Sequence, residues 1–250
     1  MKYFFFIMIL LTSLNAASIK QQKVTVGIGP YIQTQPYKGA KAIFVPSPVI
    51  FFDNSLFYVR WSRFGMYFLG KKEQNFAWGF SLTAQPRTYG YKAKDSKTLQ
   101  GMQTRDTTFE GGLAFSASYQ KKYMETMLLT DMLGRYNSWI FKTEIGDEYH
   151  LNKISFYPSL IAIYQSKKFL DYYYGVKESE KIAGIRPAYT PNDGVLFGIQ
   201  TYISYPITQK LSTLVNLRAD LIPQTAYNSP IVNDKFIYSG LLSLIYTFHY

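Results

Sequence analysis

Few side chains in this sequence have the type and spacing to do covalent or acid–base chemistry. There is no cysteine, which excludes disulfide scaffolds, thiolate zinc sites and cysteine nucleophiles. Only two histidines, His150 and His249, are available for metal binding or proton transfer. Neither lies in a ligand-spaced pattern, so no metal ion or other cofactor is expected. His249 shares its strand parity with Thr247 and Ser243, which raises a serine–histidine pair. No carboxylate is placed to orient that imidazole, as a triad requires, and a histidine at a strand rim is the simpler reading. His150 ends the run Gly146-Asp147-Glu148-Tyr149-His150, read as a solvated turn. Glu178 and Glu180 have the spacing of a candidate acid and base for glycosidic cleavage. Their neighbours Lys177 and Lys181 favour a solvated charge run instead. Glycines at 27, 29, 111 and 112 fall inside alternating segments, where they ease curvature rather than cradle phosphate. No catalytic residue is assigned, and the chain is read as a non-enzyme.

The elements that would position these groups are strands. Across Leu211–Leu221, residues 211, 213, 215, 217, 219 and 221 form an apolar face, opposite Ser212, Leu214, Asn216, Arg218 and Asp220. Val195–Tyr205, Phe109–Tyr119 and Trp139–Ile145 alternate in the same way, with Glu110, Lys142 and Glu144 on the polar faces. Such alternation indicates strands with one apolar and one polar side. Many of these runs reach about 10 residues, longer than the globular mean of about 5–6 and matched to a tilted strand crossing a bilayer. Charges on the polar faces would be misplaced in a sandwich core but sit well in a wet lumen. Aromatics near strand ends, among them Phe51, Phe52, Trp61, Phe64, Trp78, Tyr157 and Tyr205, suit interfacial girdles. A transmembrane antiparallel up-and-down β-barrel of about 12 strands is therefore expected, with ten to fourteen strands fitting the same turns.

Residues 1–17 read as a cleaved signal peptide: Lys2, then the apolar run Tyr3–Leu11, then small residues with cleavage after Ala16 or Ala17. Residues 18–250 form a single outer-membrane barrel domain in this reading. The last segment alternates from Phe236 to a final aromatic, Tyr250, resembling the end that the barrel-assembly machinery of bacterial outer membranes reads. An even strand count puts both termini in the periplasm, with short turns at Asp53-Asn54, Lys71–Gln74, Gln120-Lys121 and Pro206–Lys210 beside them. The long links 87–106, 165–194 and 223–235 then face outside. Residues 55–70 also fit one long strand, and Tyr172–Val176 also fits a strand extension. The formal net charge is +11. Loop 87–106 carries Arg87, Lys92, Lys94, Lys97 and Arg105 against Asp95 and Asp106, a solvated loop or an attraction to lipopolysaccharide phosphates. Nucleic acid is not an expected partner, because the aromatics alternate toward lipid rather than interleaving with the basic residues.

Several stretches resemble the MltA-interacting protein/OmpV family of outer-membrane proteins. They are Val26–Tyr31, Pro36-Tyr37-Lys38-Gly39-Ala40, Val45-Pro46-Ser47-Pro48, Tyr173-Tyr174-Gly175-Val176 followed by Glu178 and Glu180, Arg186–Pro191, and Asn228-Ser229-Pro230-Ile231-Val232, in the family's order. Asn228 departs from the pattern, where an aspartate is expected. The resemblance implies a bacterial outer-membrane barrel that acts as a scaffold. Its partners would be a lytic murein transglycosylase and a bifunctional penicillin-binding protein, with outer-membrane lipid and lipopolysaccharide around it. A narrow pore lined by Glu110, Lys142, Glu144, Arg218 and Asp220, or a surface adhesin or receptor working through its loops, are the alternatives. No ligand- or partner-binding residue is assigned from sequence.

Overall fold

A computed structural model describes residues 23–87 and 90–249; the export-signal assignment for residues 1–17 lies outside them. The strands are β1 (Lys23–Gln33), β2 (Ile43–Asp53), β3 (Phe57–Arg60), β4 (Arg63–Lys72), β5 (Phe76–Arg87), β6 (Thr108–Tyr119), β7 (Lys122–Asp131), β8 (Trp139–Asp147), β9 (Tyr149–Leu151), β10 (Ile154–Gln165), β11 (Gly194–Pro206), β12 (Leu211–Leu221) and β13 (Phe236–His249). Apart from β8 and β9, neighbours in chain order pair antiparallel, and β13 returns to pair with β1 from Lys23↔His249 to Gln33↔Ser239. β9 continues the line of β8 past Glu148, since both pair with β10. The segments therefore build a closed barrel of 12 staves, as the alternation predicts. Closure leaves no free sheet edge around most of the ring, which a backbone surrounded by hydrocarbon requires.

The facing follows the period-two pattern. On β12, Leu217 and Leu221 point outward at 51% and 39% exposure, while Asn216 and Asp220 point inward at 1%. Outward side chains elsewhere are apolar and exposed, including Ile28, Phe44, Leu113, Phe141, Ile199 and Leu242. A belt of this kind is stable only against lipid. Strand register is tight at Gly29 and Gly112, where an added Cβ would lie 1.8 Å from the Leu242 carbonyl oxygen and 1.9 Å from that of Leu128. Those glycines let adjacent backbones approach, as their position in strands suggests. At the end carrying both termini the turns are tight, and Ser55, Gln120 and Asn152 take positive φ there. Asn54 Oδ1 accepts from the amides of Leu56 (3.0 Å) and Phe57 (2.6 Å), closing the β2–β3 turn.

Two alternatives raised by the sequence are corrected. Residues 55–70 are not one strand: the chain reverses at Trp61-Ser62, with Trp61 at φ +60°, to form the β3–β4 hairpin. Tyr172–Val176 is not a strand either. Residues Lys167–Tyr174 form the helix α1, capped by Ser166, whose Oγ accepts from the Phe169 amide. A second short helix, α2 (Gln224–Tyr227), lies in the β12–β13 loop. The barrel wall is also uneven. β3 has 4 residues and pairs with β2 only at residues 51–53, so residues 43–49 of β2 have β1 on one side and, among the described residues, no strand on the other.

An arginine on the lipid face should disturb this wall most near its middle. Leu217→Arg is expected to cost ~2–4 kcal/mol, measured by urea titration of folding into lipid vesicles, whereas Leu214→Met, on the lumen face, should stay within about 1.5 kcal/mol of the parent.

Candidate functional site: the lumen and its two ends

The end opposite the two termini is closed by the chain itself. Loop residues Tyr37, Tyr91, Leu99, Tyr136, Phe169, Tyr173, Tyr174, Val176, Ile231 and Val232 form one buried cluster with lumen-facing strand residues such as Met127, Ile140, Ile161 and Leu196. The long loops thus fold into the mouth and pack on the upper lumen wall. Tyr37 donates from its hydroxyl to the Tyr173 carbonyl (3.2 Å), and Ser229 donates to that of Tyr174 (2.6 Å). The Lys38 amide donates to the Ile231 carbonyl (2.9 Å). Short motifs far apart in sequence therefore meet in one lid. Asn228 sits at its edge, accepting from Gln224 Nε2 (2.6 Å).

A buried charge cluster fastens this lid. Arg105 Nη2 reaches both carboxylate oxygens of Glu180 at 3.0 Å, and Arg105 Nε donates to the Tyr172 carbonyl at 2.6 Å. Glu180 Oε1 also accepts from the Gln103 amide (2.8 Å) and Oε2 from the Lys177 amide (3.0 Å). Arg186 donates to the carbonyls of Glu180, Thr98 and Gln100. The reading of Glu178 and Glu180 as a common solvated run is corrected in half. Glu180 is 3% exposed, and its charge is matched across loops by Arg105. Glu178 is exposed and pairs with Lys181 (2.5 Å). Burial pushes the Glu180 carboxyl up, but the Lys177 and Gln103 amides and the Arg105 guanidinium outweigh it and hold the group below its usual range.

Below the lid lies a cavity of about 1920 Å³ that reaches Lys23, Lys71 and Thr247 at the terminus-bearing end. Its polar wall is paired locally. Arg87 ion-pairs with Glu110, which also accepts from Tyr136 Oη (2.9 Å) and Gln85 Nε2 (3.0 Å). Lys142 pairs with Glu144 (3.1 Å), Arg218 with Asp220 (2.9 Å), and Arg60 (2.8 Å) and Arg63 with Glu125. An apolar cluster of Val49, Leu214, Leu241 and Ile245, with Tyr31, Phe51, Trp61 and Tyr202 against it, packs on the lumen side of β1, β2, β12 and β13. Trp61 contacts Tyr31 and Tyr202 edge-on at 5.7 and 6.4 Å. Arg87 and Arg105, read with loop 87–106 as loop charge, are both buried in ion pairs. Of that set Lys92, Lys94 and Lys97 are the exposed cations.

The histidines stay apart. His249 is exposed at the end of β13, while Ser243 is buried and donates to the Leu244 carbonyl (3.2 Å). His150 lies on the β9–β10 hairpin between Ser155 Oγ (3.0 Å from Nδ1) and Glu148 Oε1 (3.0 Å from Nε2). Serine, imidazole and carboxylate are in a row, but His150 and Glu148 are 48% and 35% exposed and lie outside the cavity lining. Nothing there excludes water or presents donors to an oxyanion, so the row ties the hairpin and supplies no acyl-transfer site. Among the described residues no group of His, Asp and Glu is placed to hold a metal ion.

The model of the family described as MltA-interacting protein MipA matches residues 26–248. The Escherichia coli K12 protein named putative outer membrane protein YiaT is 25% identical over 226 residues, covering 89% of this chain and 90% of its own. The MltA-interacting protein of the same organism is 25% identical over 230 residues, covering 91% and 90%. Among solved structures, a Pseudomonas aeruginosa FadL homologue aligns over 91% of this chain and 90% of its own, at 9% identity and a TM-score of 0.41.

Removing one partner of the lid's ion pair strands the other. Arg105→Ala is expected to destabilise the lid by about 3–5 kcal/mol, read as faster tryptic cleavage of loop 88–107 in intact vesicles. Because the Glu180 carboxyl titrates below its ordinary value of 4.5, its contribution is complete above that pH and lost as pH falls through the lowered value. Cleavage by an acid-active protease should therefore accelerate below about pH 4.5 in the parent and show no such step in Glu180→Gln.

Proposed function

The chain belongs to the MltA-interacting protein family, and from that premise we propose that this outer-membrane β-barrel is a non-enzymatic scaffold that holds murein-remodelling enzymes near the cell wall. The partners in this reading are a lytic murein transglycosylase and a bifunctional penicillin-binding protein. One observation carries the assignment to a periplasmic surface. The outer end is covered by the protein's own loops, whereas the periplasmic rim presents exposed cations with no partner among the described residues. At that rim Glu73 is taken by Lys71 (2.7 Å) and Asp147 by Lys122 (3.1 Å). Lys23, Lys72, Lys121, Lys153 and Lys210 are all exposed at that end. Spread over separate turns, they form a shallow basic ring suited to the acidic face of a partner. Contacts on short turns bury little area, so each is weak alone and depends on ionic strength.

Assembly into the membrane, in the same reading, uses the alternating final strand as the feature met by the barrel-assembly machinery. Contact with lipopolysaccharide rests on Lys92, Lys94 and Lys97, since Arg105 is paired inside the lid and Arg87 in the lumen wall below it. The runner-up is a narrow pore, favoured by the cavity and opposed by the lid.

Photocrosslinking in intact cells from Lys72, Lys121 and Lys210, with mass spectrometry of the captured proteins, tests the scaffold. Murein synthases or lytic transglycosylases are expected, and capture should fall when the rim lysines are changed together to glutamine. Capture of assembly machinery alone would remove the assignment. Purified protein in a planar bilayer is expected to be silent; stepwise openings abolished by Arg218→Ala would move it to the pore.

A further inference from the structure

The low β3–β4 hairpin leaves a notch in the outer half of the barrel wall, and its rims have an unusual chemistry. One rim is residues 43–49 of β2, and the other is Gln85–Arg87 of β5, whose last pair with β4 is Ala84↔Phe64. Pro46 lies opposite Pro30 on β1, a pair that exchanges no hydrogen bonds, so the nitrogens of Pro46 and Pro48 point away from β1 into the notch. The Ile50 carbonyl, two residues on, accepts from the Trp61 amide and confirms that direction. Pro86 is opposite Phe109, whose carbonyl accepts from Met132 on the far side, so Pro86 also turns its nitrogen toward the notch. Pro46, Pro48 and Pro86 thus remove three of the backbone donors that these rims would otherwise present, leaving the Phe44 amide at the upper end of β2.

The cavity reaches both rims, touching Val45, Pro46 and Pro48 on one side, Pro86 on the other and Trp61 at the hairpin tip. Val45 points inward yet is 42% exposed, and Phe44 beside it points outward at 70%. We propose that the notch is a lateral portal through which an acyl chain of an outer-leaflet lipid enters the lumen. An added strand would need donors that the prolines have removed. A hydrocarbon chain needs none, lies directly outside at this depth, and meets Val45 and Trp61 behind the rim. Lumen water remains available to the rim carbonyls.

The full chain is reconstituted in vesicles containing phosphatidylcholine with a diazirine midway along one acyl chain, irradiated, and its adducts mapped by mass spectrometry. Adducts are expected on inward-facing Val45, Ser47 and Trp61 as well as on the outer belt, with none on inward-facing Ser204 and Ser212. Ser47→Trp, which puts a bulky ring where Ser47 Oγ now accepts from Trp61 Nε1 (2.9 Å), should reduce the Val45 adduct to background while leaving the belt adducts intact. If that variant fails to fold, the parent map still decides. Adducts confined to outward side chains would overturn the portal. So would crosslinks joining the β2 edges of two copies, or labelling of Val45 and Trp61 by a diazirine fatty acid but not by the phospholipid.

Discussion

Hydrocarbon offers no hydrogen bonds, and that constraint organises the rest of this molecule. A backbone crossing it must pair every amide and carbonyl internally, which for strands means closing the ring. Closure puts β1 beside β13, sets one face of every strand toward lipid and the other toward a common lumen, and confines irregular chain to the two ends. Charges such as Glu110, Lys142 and Arg218 then find partners within the lumen wall or its upper mouth. Where pairing lapses, at the notch above the β3–β4 hairpin, prolines replace the residues whose donors would be stranded.

The barrel was legible because a period of two leaves no ambiguity of face: a slip of one residue would turn Leu217 inward and Asn216 into lipid. The lid was not. Its residues follow no strand period, and its contacts join segments remote in sequence, as Tyr37 with Tyr173 and Arg105 with Glu180. Glu180 sits among charged neighbours, so local composition argued for water, whereas its true partner lies 75 positions away. α1 did carry a local signal: Ser166 as cap, then Phe169, Leu170, Tyr173 and Tyr174 at helical spacing on one buried side. The motifs resembling a known family turn out to share a place, since most of them meet in the lid.

The shortness of β3 was hidden for a different reason. Sequence marks a reversal near Trp61, but the height at which a hairpin stops depends on how its neighbours are staggered around a tilted ring. Only the register, with β2 paired to β3 at residues 51–53, reveals how far the wall falls short. Prolines 46, 48 and 86 were visible as residues, yet their common direction is a property of three strands together.

The lid also has an order of assembly built into it. It gathers Tyr37 from the first loop and Ile231 and Val232 from the last, segments that become neighbours only once β1 has docked on β13. A lid contact made before that point would bridge nearly the whole chain without the intervening wall, at the full entropic cost of so long a loop. Ring first and cap second is therefore the economical sequence. A sealed mouth then marks a barrel that has finished folding, and a chain stalled with its seam open would show its tyrosines to any quality-control protease nearby.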